Sequence, residues 1–260
     1  MRTALVGGGA GGIGHAIAER LASSGDRVVI TGRRADALEA AVARLCRAVG
    51  DSSAQTVHAL VSDMADPASA AAAMEEVDAR YGGLDVLVLN AGGPPPGRIL
   101  ELDDQRWREA SELLLLGPLR LARLAMPGMA KRGFGRVVFV TSTAVRQPQP
   151  DLAASVVLRS AVTAAAKLLS LEFAAEGVTV NCVAPGATAT ERRTQILQNR
   201  ARAAQRGLDE LDAQDVAQIP AGRAALPDEI AAAVAFLASD DAAYINGTVL
   251  TVDGGRTETI

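Results

Sequence analysis

The stretch "VGGGAGGIGHAIAERLASSG", residues 6–25, places a glycine-rich turn between the short apolar run "TALV" and an alanine-rich segment of helical length. Glycine allows a tight turn and a close approach of the backbone to a pyrophosphate group. The negative charge of that group then meets the free N–H groups at the helix N-terminus. Because the turn joins a predicted strand to a predicted helix, it predicts a dinucleotide-binding loop.

Seven short apolar runs alternate with segments of helical length along the chain. The runs are "TALV", "RVVIT", "TVHALV", "LDVLVLN", "GRVVFVTS", "VTVNCV" and "TVLTVDGG". Strands this apolar are typical of a parallel sheet buried on both faces, and right-handed crossovers then produce a doubly wound arrangement. We therefore predict an α/β protein with a single Rossmann-type domain, residues 1–260, whose seven-stranded parallel sheet carries helices on both faces.

Residues 191–222, "ERRTQILQNRARAAQRGLDELDAQDVAQIPAG", interrupt this alternation with a polar helical insertion after the sixth strand. One interpretation is a solvated pair of surface helices. The other is a mobile lid over a site at the carboxyl edge of the sheet, where folds of this class bind ligands.

Composition narrows the classes of partner. The chain carries a formal net charge of −4 and is 49% hydrophobic, which gives no basic surface for nucleic acid or an anionic membrane and favours a small-molecule partner. Cys46 and Cys182 lack metal-ligand spacing and are interpreted as buried apolar residues, so we predict no metal site. The N-terminus begins a strand at once, and no later stretch offers ~18 uninterrupted apolar residues, so we expect a cytoplasmic protein without a membrane anchor.

The spacing Gly8-x-x-x-Gly12-Ile13-Gly14 resembles the glycine motif of the short-chain dehydrogenase/reductase family, although Gly7 stands where the family usually has threonine. The resemblance covers essentially the whole chain, through "LNAGG", "NCVAPGATAT", "IPAGR", "LPDEIAAAVAFLAS" and "YINGTVLTVDGG". It implies that the cofactor is bound by residues of these motifs, with the last four flanking the nicotinamide: Gly8, Gly12, Ile13, Gly14, Asn90, Ala91, Gly92, Pro185, Gly186, Thr188 and Thr190.

Four residues are candidates for the adenosine end of the cofactor. By the same resemblance, Asp63, followed by Met64, occupies the position that contacts the adenine ring, although Asp63 can also be interpreted as an exposed helix-capping residue. Arg33 and Arg34 follow the second strand, where the side chain faces the adenosine ribose. A guanidinium suits a 2′-phosphate, so NADP(H) is favoured over NAD(H). The alternative is that both arginines are solvated charges at a helix start.

The family's Asn-Ser-Tyr-Lys catalytic set is largely replaced in this chain. Counting back from "SLEFAAEGVTVNCVAPG" places Ser155 at the tyrosine position and Arg159 at the lysine position, so that Arg159 also faces the nicotinamide ribose. Ser142 lies thirteen residues before Ser155, which is the family's spacing between serine and tyrosine. Leu114 stands at the asparagine position. The serine is thus the one member of the set that this chain keeps.

No other side chain is expected to supply the missing groups. Tyr81 and Tyr244 precede the fourth and the last strand, away from the predicted helix that carries Arg159. Lys167 is on that helix, but it lies ~12 Å further along it at ~1.5 Å per residue.

The replacements change the chemistry of the site. Neither a serine hydroxyl nor an arginine is a good general acid near neutral pH. Ser142 and Ser155 can nevertheless donate hydrogen bonds to a carbonyl oxygen, and Arg159 can stabilise the oxyanion that hydride addition creates. The proton would then come from water or from an acidic hydroxyl of the substrate. Ser-x-x-x-Arg together with "NAGGPPPG" resembles a divergent branch of the family, similar to 3-oxoacyl-acyl-carrier-protein reductases. Within it, residues 94–96 form either a stiff wall beside the nicotinamide pocket or a rigid surface loop.

These observations favour an NADP(H)-dependent carbonyl reductase (ketoreductase) or alcohol dehydrogenase with a divergent active site, acting on a small carbonyl or alcohol. Two alternatives stay open. One is a non-redox enzyme of the same fold that catalyses dehydration, isomerisation or cyclisation, and the other is a nucleotide-binding regulator without catalysis. We also expect a homo-oligomer, a tetramer as the resemblance implies, because "ELLLLGPLRLARLAM" is apolar nearly all round.

Overall fold

The protein is built on one seven-stranded sheet. A computed structural model describes residues 1–50 and 56–259. Its strands are β1 (Thr3–Gly7), β2 (Arg27–Gly32), β3 (Val57–Val61), β4 (Val86–Leu89), β5 (Gly135–Val140), β6 (Val178–Pro185) and β7 (Val249–Val252). Their order is β3-β2-β1-β4-β5-β6-β7, and every neighbouring pair is parallel. All seven predicted strands are present, and the predicted fold class is confirmed.

Helices cover both faces of this sheet. They are α1 (Gly12–Ser23), α2 (Ala35–Val49), α3 (Pro67–Tyr81), α4 (Asp104–Ser111), α5 (Gly117–Arg132), α6 (Ala153–Glu172), α7 (Glu191–Ala204), α8 (Leu208–Val216) and α9 (Pro227–Leu237). A π-helical turn, Glu112–Leu116, joins α4 to α5. Several helix ends have clear local causes: the Asp66 carboxylate caps the start of α3, and Gly82 and Gly133 end α3 and α5 in the left-handed conformation.

Two apolar layers hold the helices to the sheet. Strands β1, β4, β5 and β6 are buried along their whole length, as expected for strands with helices on both faces. One layer contains Ile17 of α1 and Ile230 of α9, and the other contains Met126 of α5 and Val162 of α6. Each such fully buried aliphatic side chain stabilises the fold by ~1.5–3 kcal/mol.

The cysteines differ in environment. Cys182, in β6, is buried, and this burial raises the pKa of its thiol to about 12. Cys46, in α2, is only half-buried, so the prediction of two buried cysteines is right for one of them. Within residues 1–50 and 56–259, no group of three or more His, Cys, Asp or Glu side chains is placed to hold a metal ion.

Two long helical segments, Asp104–Arg132 and Ala153–Glu172, reach the length and hydropathy of membrane-spanning helices. Both pack one face into the core, so the core accounts for much of their apolar composition. Their outer faces still expose Leu116, Leu168 and Leu171, by 44%, 60% and 65% respectively. The apolar character inferred from the sequence is therefore only partly covered within one chain.

The polar insertion folds as the helix pair α7 and α8. Arg193 of α7 joins the two helices by ion pairs with Asp212 and Asp215 of α8. Arg200 of α7 pairs with Asp151, in the segment that leads into α6. The insertion therefore packs against the segment before α6, beside the carboxyl edge of the sheet. Its function as a lid stays a prediction.

Candidate active site

The glycine-rich turn lies at the carboxyl end of β1 and opens α1. Gly8 and Gly12 have φ of +63° and +54°, a region that favours glycine. A Cβ on Gly14 would overlap the Gly8 carbonyl oxygen, so no side chain fits there. Ile13 is half-buried and packs against the core beside α1. The turn is therefore a close-approach cradle with the shape that a pyrophosphate requires.

Asn90 holds this cradle from the end of β4. Its Nδ2 donates a hydrogen bond to the Gly7 carbonyl oxygen at 3.0 Å. The same atom lies 2.9 Å and 2.8 Å from the points that a Cβ would occupy on Gly8 and Gly14. Asn90 therefore shapes the turn directly, and the following Ala91 and Gly92 continue along the same edge of the sheet.

The adenosine side of the cradle is basic. Arg33 and Arg34 follow β2 and are exposed. Arg44 of α2, which the sequence analysis did not single out, donates from Nη2 to the Ala10 carbonyl oxygen at 2.9 Å. Burial, and then the charge of Arg44, lowers the pKa of His15, the residue after the turn. Arg44 therefore lies against the glycine turn, and Arg33 and Arg34 follow the strand next to β1, where a 2′-phosphate is expected.

Asp63 and Met64 lie between β3 and α3. Asp66, not Asp63, caps α3, because its carboxylate accepts hydrogen bonds from the Ala68 and Ser69 amides. The helix-capping interpretation of Asp63 is therefore wrong, since its carboxylate closes a local turn by accepting from the Ala65 amide at 3.0 Å. The methyl carbon of Met64 lies 3.0 Å from the position that a Cβ on Gly7 would occupy, so Met64 covers the end of β1.

Arg159 is the centre of the site. Its Nε donates to Ser155 Oγ at 3.1 Å, one helical turn earlier on α6. Its Nη1 donates to the Val140 carbonyl oxygen at 2.7 Å, and its Nη2 donates to the Ala91 carbonyl oxygen at 3.3 Å. The guanidinium thus joins α6 to the carboxyl ends of β4 and β5. Ser155 and Arg159 are thus in contact, while their assignment to the family's tyrosine and lysine positions stays a prediction.

Burial, and then the nearby charge of Arg192, lowers the pKa of Arg159 to about 10. A guanidinium with that pKa is still protonated at neutral pH. The part-buried Arg159 side chain is therefore positively charged, and all three of its hydrogen-bond acceptors are neutral. Such a charge is poised to interact strongly with a developing negative charge.

Ser142 lies just beyond the end of β5. Its Oγ accepts a hydrogen bond from the Ala144 amide at 3.1 Å and so begins the short 3-10 turn Thr143–Val145. Among the described residues, no acceptor is recorded for its hydroxyl proton. Ser142 is half-buried at the carboxyl edge of the sheet. It lies two residues after Val140, whose carbonyl accepts a hydrogen bond from Arg159.

Leu114, at the family's asparagine position, lies in the π-helical turn between α4 and α5. It is 2% exposed and packs in a small apolar cluster with Ala110, Ala154 and Leu158. An apolar side chain in that cluster provides no hydrogen bond for a relay water. Leucine in place of asparagine therefore makes this part of the site apolar.

The loop after β6 closes the other side of the site. Thr188 is 5% exposed, and its Oγ1 donates to the Gly186 carbonyl oxygen at 3.2 Å. The Thr190 hydroxyl accepts from the Arg193 amide and caps α7, and its methyl carbon lies 3.5 Å from the point that a Cβ on Gly12 would occupy. Gly186 lies against Asp253, with no room for a Cβ. The loop that begins at Pro185 therefore meets the glycine turn across the carboxyl edge.

Arg192 is the second residue that the sequence analysis missed. From the first turn of α7 it donates to the Pro94 carbonyl oxygen, and its guanidinium lies against Gly93. Burial lowers its pKa as well. Arg192 and Pro94 are 98 residues apart, so no local sequence pattern could predict their contact. The signal that pointed towards Arg192 was the interpretation of residues 191–222 as a lid.

The tyrosines and Lys167 lie away from this place, as the sequence analysis expected. The Tyr81 ring stacks on His58 with ring centroids 5.4 Å apart, and Tyr244 is fully exposed. Lys167 Nζ lies beside Gly247, which precedes β7. None of the three is placed to replace the family's tyrosine or lysine.

Comparisons with known proteins agree with the geometry. Residues 8–257 match the family model described as Enoyl-(Acyl carrier protein) reductase. The chain is 35% identical over 254 residues to the 3-oxoacyl-[acyl-carrier-protein] reductase FabG of Escherichia coli (strain K12), with 98% of this chain and 96% of FabG covered. Among solved structures, YwfH, an NADPH dependent reductase involved in bacilysin biosynthesis, matches with a TM-score of 0.94 at 28% identity, covering 100% and 99% of the two chains. A single-substitution variant of actinorhodin polyketide ketoreductase with NADPH matches with a TM-score of 0.94 at 32% identity, covering 99% and 98% of the two chains.

The strand order, the glycine cradle and these similarities together lead to one conclusion: the chain belongs to the short-chain dehydrogenase/reductase family.

Proposed function

We propose that the protein is an NADP(H)-dependent oxidoreductase that interconverts a small carbonyl compound and its alcohol. The observation that carries the proposal is the position of Arg159, whose guanidinium joins Ser155 to the carboxyl ends of β4 and β5. It lies on the same sheet edge as the glycine cradle and the Pro185–Thr190 loop. The NADPH-dependent and NADPH-bound relatives support the same reaction class.

The cofactor is held by the residues that the sequence analysis assigned to it. The turn from Gly8 to Gly14 would hold the pyrophosphate, with Thr190 facing the turn, and Asp63 and Met64 would contact the adenine. When bound, NADPH supplies the hydride and NADP⁺ accepts it. The basic side of the cradle, with Arg33, Arg34 and Arg44, supports NADP(H) over NAD(H), because a guanidinium binds a phosphate dianion by charge-assisted hydrogen bonds.

The chain's own residues stabilise the oxygen of the substrate. Ser142 and Ser155 donate hydrogen bonds to the carbonyl oxygen, and Arg159 faces the negative charge that develops on that oxygen during reduction. A preorganised donor of this kind contributes ~10²–10³ in rate. One proton completes the alcohol, and it comes from water or from an acidic hydroxyl of the substrate.

The insertion 191–222 acts as the lid of a single-domain enzyme that spans residues 1–260. The ion pairs of Arg193 with Asp212 and Asp215 join α7 to α8 and support a unit that moves as one body. The pairs Arg200–Asp151 and Arg256–Asp215 reach outside the insertion, and opening of the lid would break them. Such a lid excludes water during hydride transfer and opens for exchange of substrate and product.

The resemblance to the short-chain dehydrogenase/reductase family supports a homotetramer in the cytoplasm. The exposed leucines on the helical segments that contain α5 and α6 support the same assembly. A groove of about 320 Å³ between α5 and α6 is lined by Leu116, Leu119, Leu168 and Leu169 among others. A second copy covers this groove and the leucines around it, and no nucleic acid or membrane takes part. Sedimentation at micromolar concentration tests the assembly, and a monomer there contradicts it.

The experiment that tests the function has two steps. A titration with NADPH and NADH measures the affinity for each cofactor, and a panel of carbonyl compounds is then scored for both NADPH consumption and product mass. Consumption of NADPH with formation of the matching alcohol is the expected result. Product formation without NADPH consumption would identify a non-redox enzyme. Cofactor binding without any product would identify a regulator.

A further inference from the structure

We propose that the substrate carries a carboxylate, and that Arg192 binds it opposite Arg159. This inference rests on the proposed function in one respect only, namely that the anion belongs to the molecule whose carbonyl is reduced. Arg192 is therefore proposed as a residue that determines substrate specificity.

The first observation is the choice of partners along the insertion. Four arginines there have side-chain acceptors: Arg193 with Asp212 and Asp215, Arg200 with Asp151, Arg206 with Glu210 and Arg202 with Asn199. Arg192 differs from them. Within residues 1–50 and 56–259, its recorded hydrogen-bond partner is the neutral carbonyl oxygen of Pro94, and no carboxylate pairs with it.

The second observation is the neighbour of Arg192. Arg159 donates to the Ala91 carbonyl and Arg192 to the Pro94 carbonyl, three residues further along the same segment, so the two guanidinium groups are neighbours. The charge of Arg192 also contributes to the lowered pKa of Arg159. Arg159 likewise binds only a hydroxyl and two carbonyl oxygens. Two part-buried cations without a counter-ion are costly, because burial removes water that would otherwise stabilise their charge. An anion between them supplies the missing counter-charge.

The third observation is the space beside Arg192. A cavity of about 320 Å³ lies between α7 and the segment that follows Ala91. Its lining includes Gly93, two prolines, amide side chains such as Gln195, and two arginines, Arg192 and Arg202, of which Arg202 donates to the Asn199 side chain. This volume is near the lower limit for small-molecule sites, which begins at ~300 Å³. Proline rings form one wall, and hydrogen-bonding side chains form the other. The cavity suits the body of a small organic acid.

A guanidinium donates two parallel hydrogen bonds to a carboxylate, and this pair of bonds sets the orientation of the bound molecule. The cofactor diphosphate is the other source of an anion near α7. That group is expected at the glycine turn, where Thr190 meets Gly12, whereas Arg192 reaches Gly93 and Pro94. The geometry therefore favours the substrate, and the experiment separates the two sources.

The first arm of the test uses matched pairs of substrates with the NADPH-loaded protein: benzoylformate against its methyl ester, and 4-oxopentanoate against its methyl ester. Arg192→Ala should lower kcat/KM for the acids by ~10–100-fold, on the scale of one lost charged hydrogen-bond pair, and change it little for the esters. The affinity for NADPH should stay the same. Arg206 is an exposed arginine within the same insertion that pairs with Glu210. Arg206→Ala removes one positive charge away from the cavity and should change none of these values.

The second arm measures binding without hydride transfer. Calorimetric titration of benzoate and benzamide, with and without NADPH, should show binding of benzoate to the unmodified protein and to Arg206→Ala, and its loss in Arg192→Ala. Benzoate binding without NADPH consumption supports the inference while refuting the proposed reaction. Equal turnover of acids and esters, no binding of benzoate, or a weakened NADPH affinity in Arg192→Ala overturns the inference, and the last result assigns the anion to the cofactor.

Discussion

Replacing Arg159 with alanine is the most direct test of the proposed site. The change removes three hydrogen bonds, to Ser155 Oγ, the Val140 carbonyl and the Ala91 carbonyl. It also removes a guanidinium that links Ser155 to both strand ends. As the loss of a proposed oxyanion donor, the change should lower kcat by at least ~100-fold, and NADPH should bind more weakly because the expected contact with the nicotinamide ribose is lost.

The stability of this variant should change much less than its activity. Hydrogen bonds from a charged group contribute ~1.5–3 kcal/mol each, but burying a cation without a counter-ion costs several kcal/mol. These opposing terms largely cancel, so we expect a net change within ~2 kcal/mol in the free energy of unfolding. Turnover and melting temperature are measured on the same sample.

Arg136→Ala provides the matched control. Like Arg159, Arg136 donates to neutral acceptors, the backbone carbonyls of Ser239, Gly135 and Gly177, and burial lowers its pKa. It lies at the start of β5, at the opposite edge of the sheet. It should alter stability and leave turnover per folded molecule unchanged. Arg159→Lys should recover the ribose contact but little of the rate, because Ser155 offers lysine no phenol to acidify. An Arg159→Ala protein that is folded and fully active would refute the reasoning and leave Ser142 as the remaining catalytic candidate.

Three further predictions follow from the site. Arg33→Ala should raise the Kd for NADPH by ~10–150-fold and leave that for NADH nearly unchanged, since only NADPH carries the 2′-phosphate; equal weakening of both would contradict the assignment. Gly14→Ala should abolish binding of both nucleotides in a titration, because its Cβ would overlap the Gly8 carbonyl oxygen, and retained affinity would show that the turn does not form the cradle. Burial and the charge of Arg192 lower the pKa of Arg159 to about 10, so kcat/KM of protein that circular dichroism shows to be folded should fall as pH rises through that value; the same fall in Arg159→Ala would assign it to another group.

Much of the fold could be predicted because it depends on short-range patterns. β-branched runs separated by helical segments defined all seven strands, and the glycine motif located the cradle at the first crossover. The resemblance to the short-chain dehydrogenase/reductase family singled out Ser155 and Arg159, and residues four apart on a helix share one face. These inferences depend on local periods and on the spacing of motifs along the chain.

Tertiary structure decided the contacts that join distant parts of the chain. Asn90 reaches back to the Gly7 carbonyl, and Arg44 reaches the Ala10 carbonyl, because the crossovers bring the end of β4 and the helix α2 beside the glycine turn. Arg192 meets Pro94 because the insertion folds over the carboxyl edge. None of these contacts leaves a periodic trace, since both partners are polar or backbone groups whose pairing depends on how the elements pack. The sequence alone therefore determined the fold class, the cradle and the Ser155–Arg159 pair, whereas the packing of α2, β4 and α7 decided which additional charges surround the site.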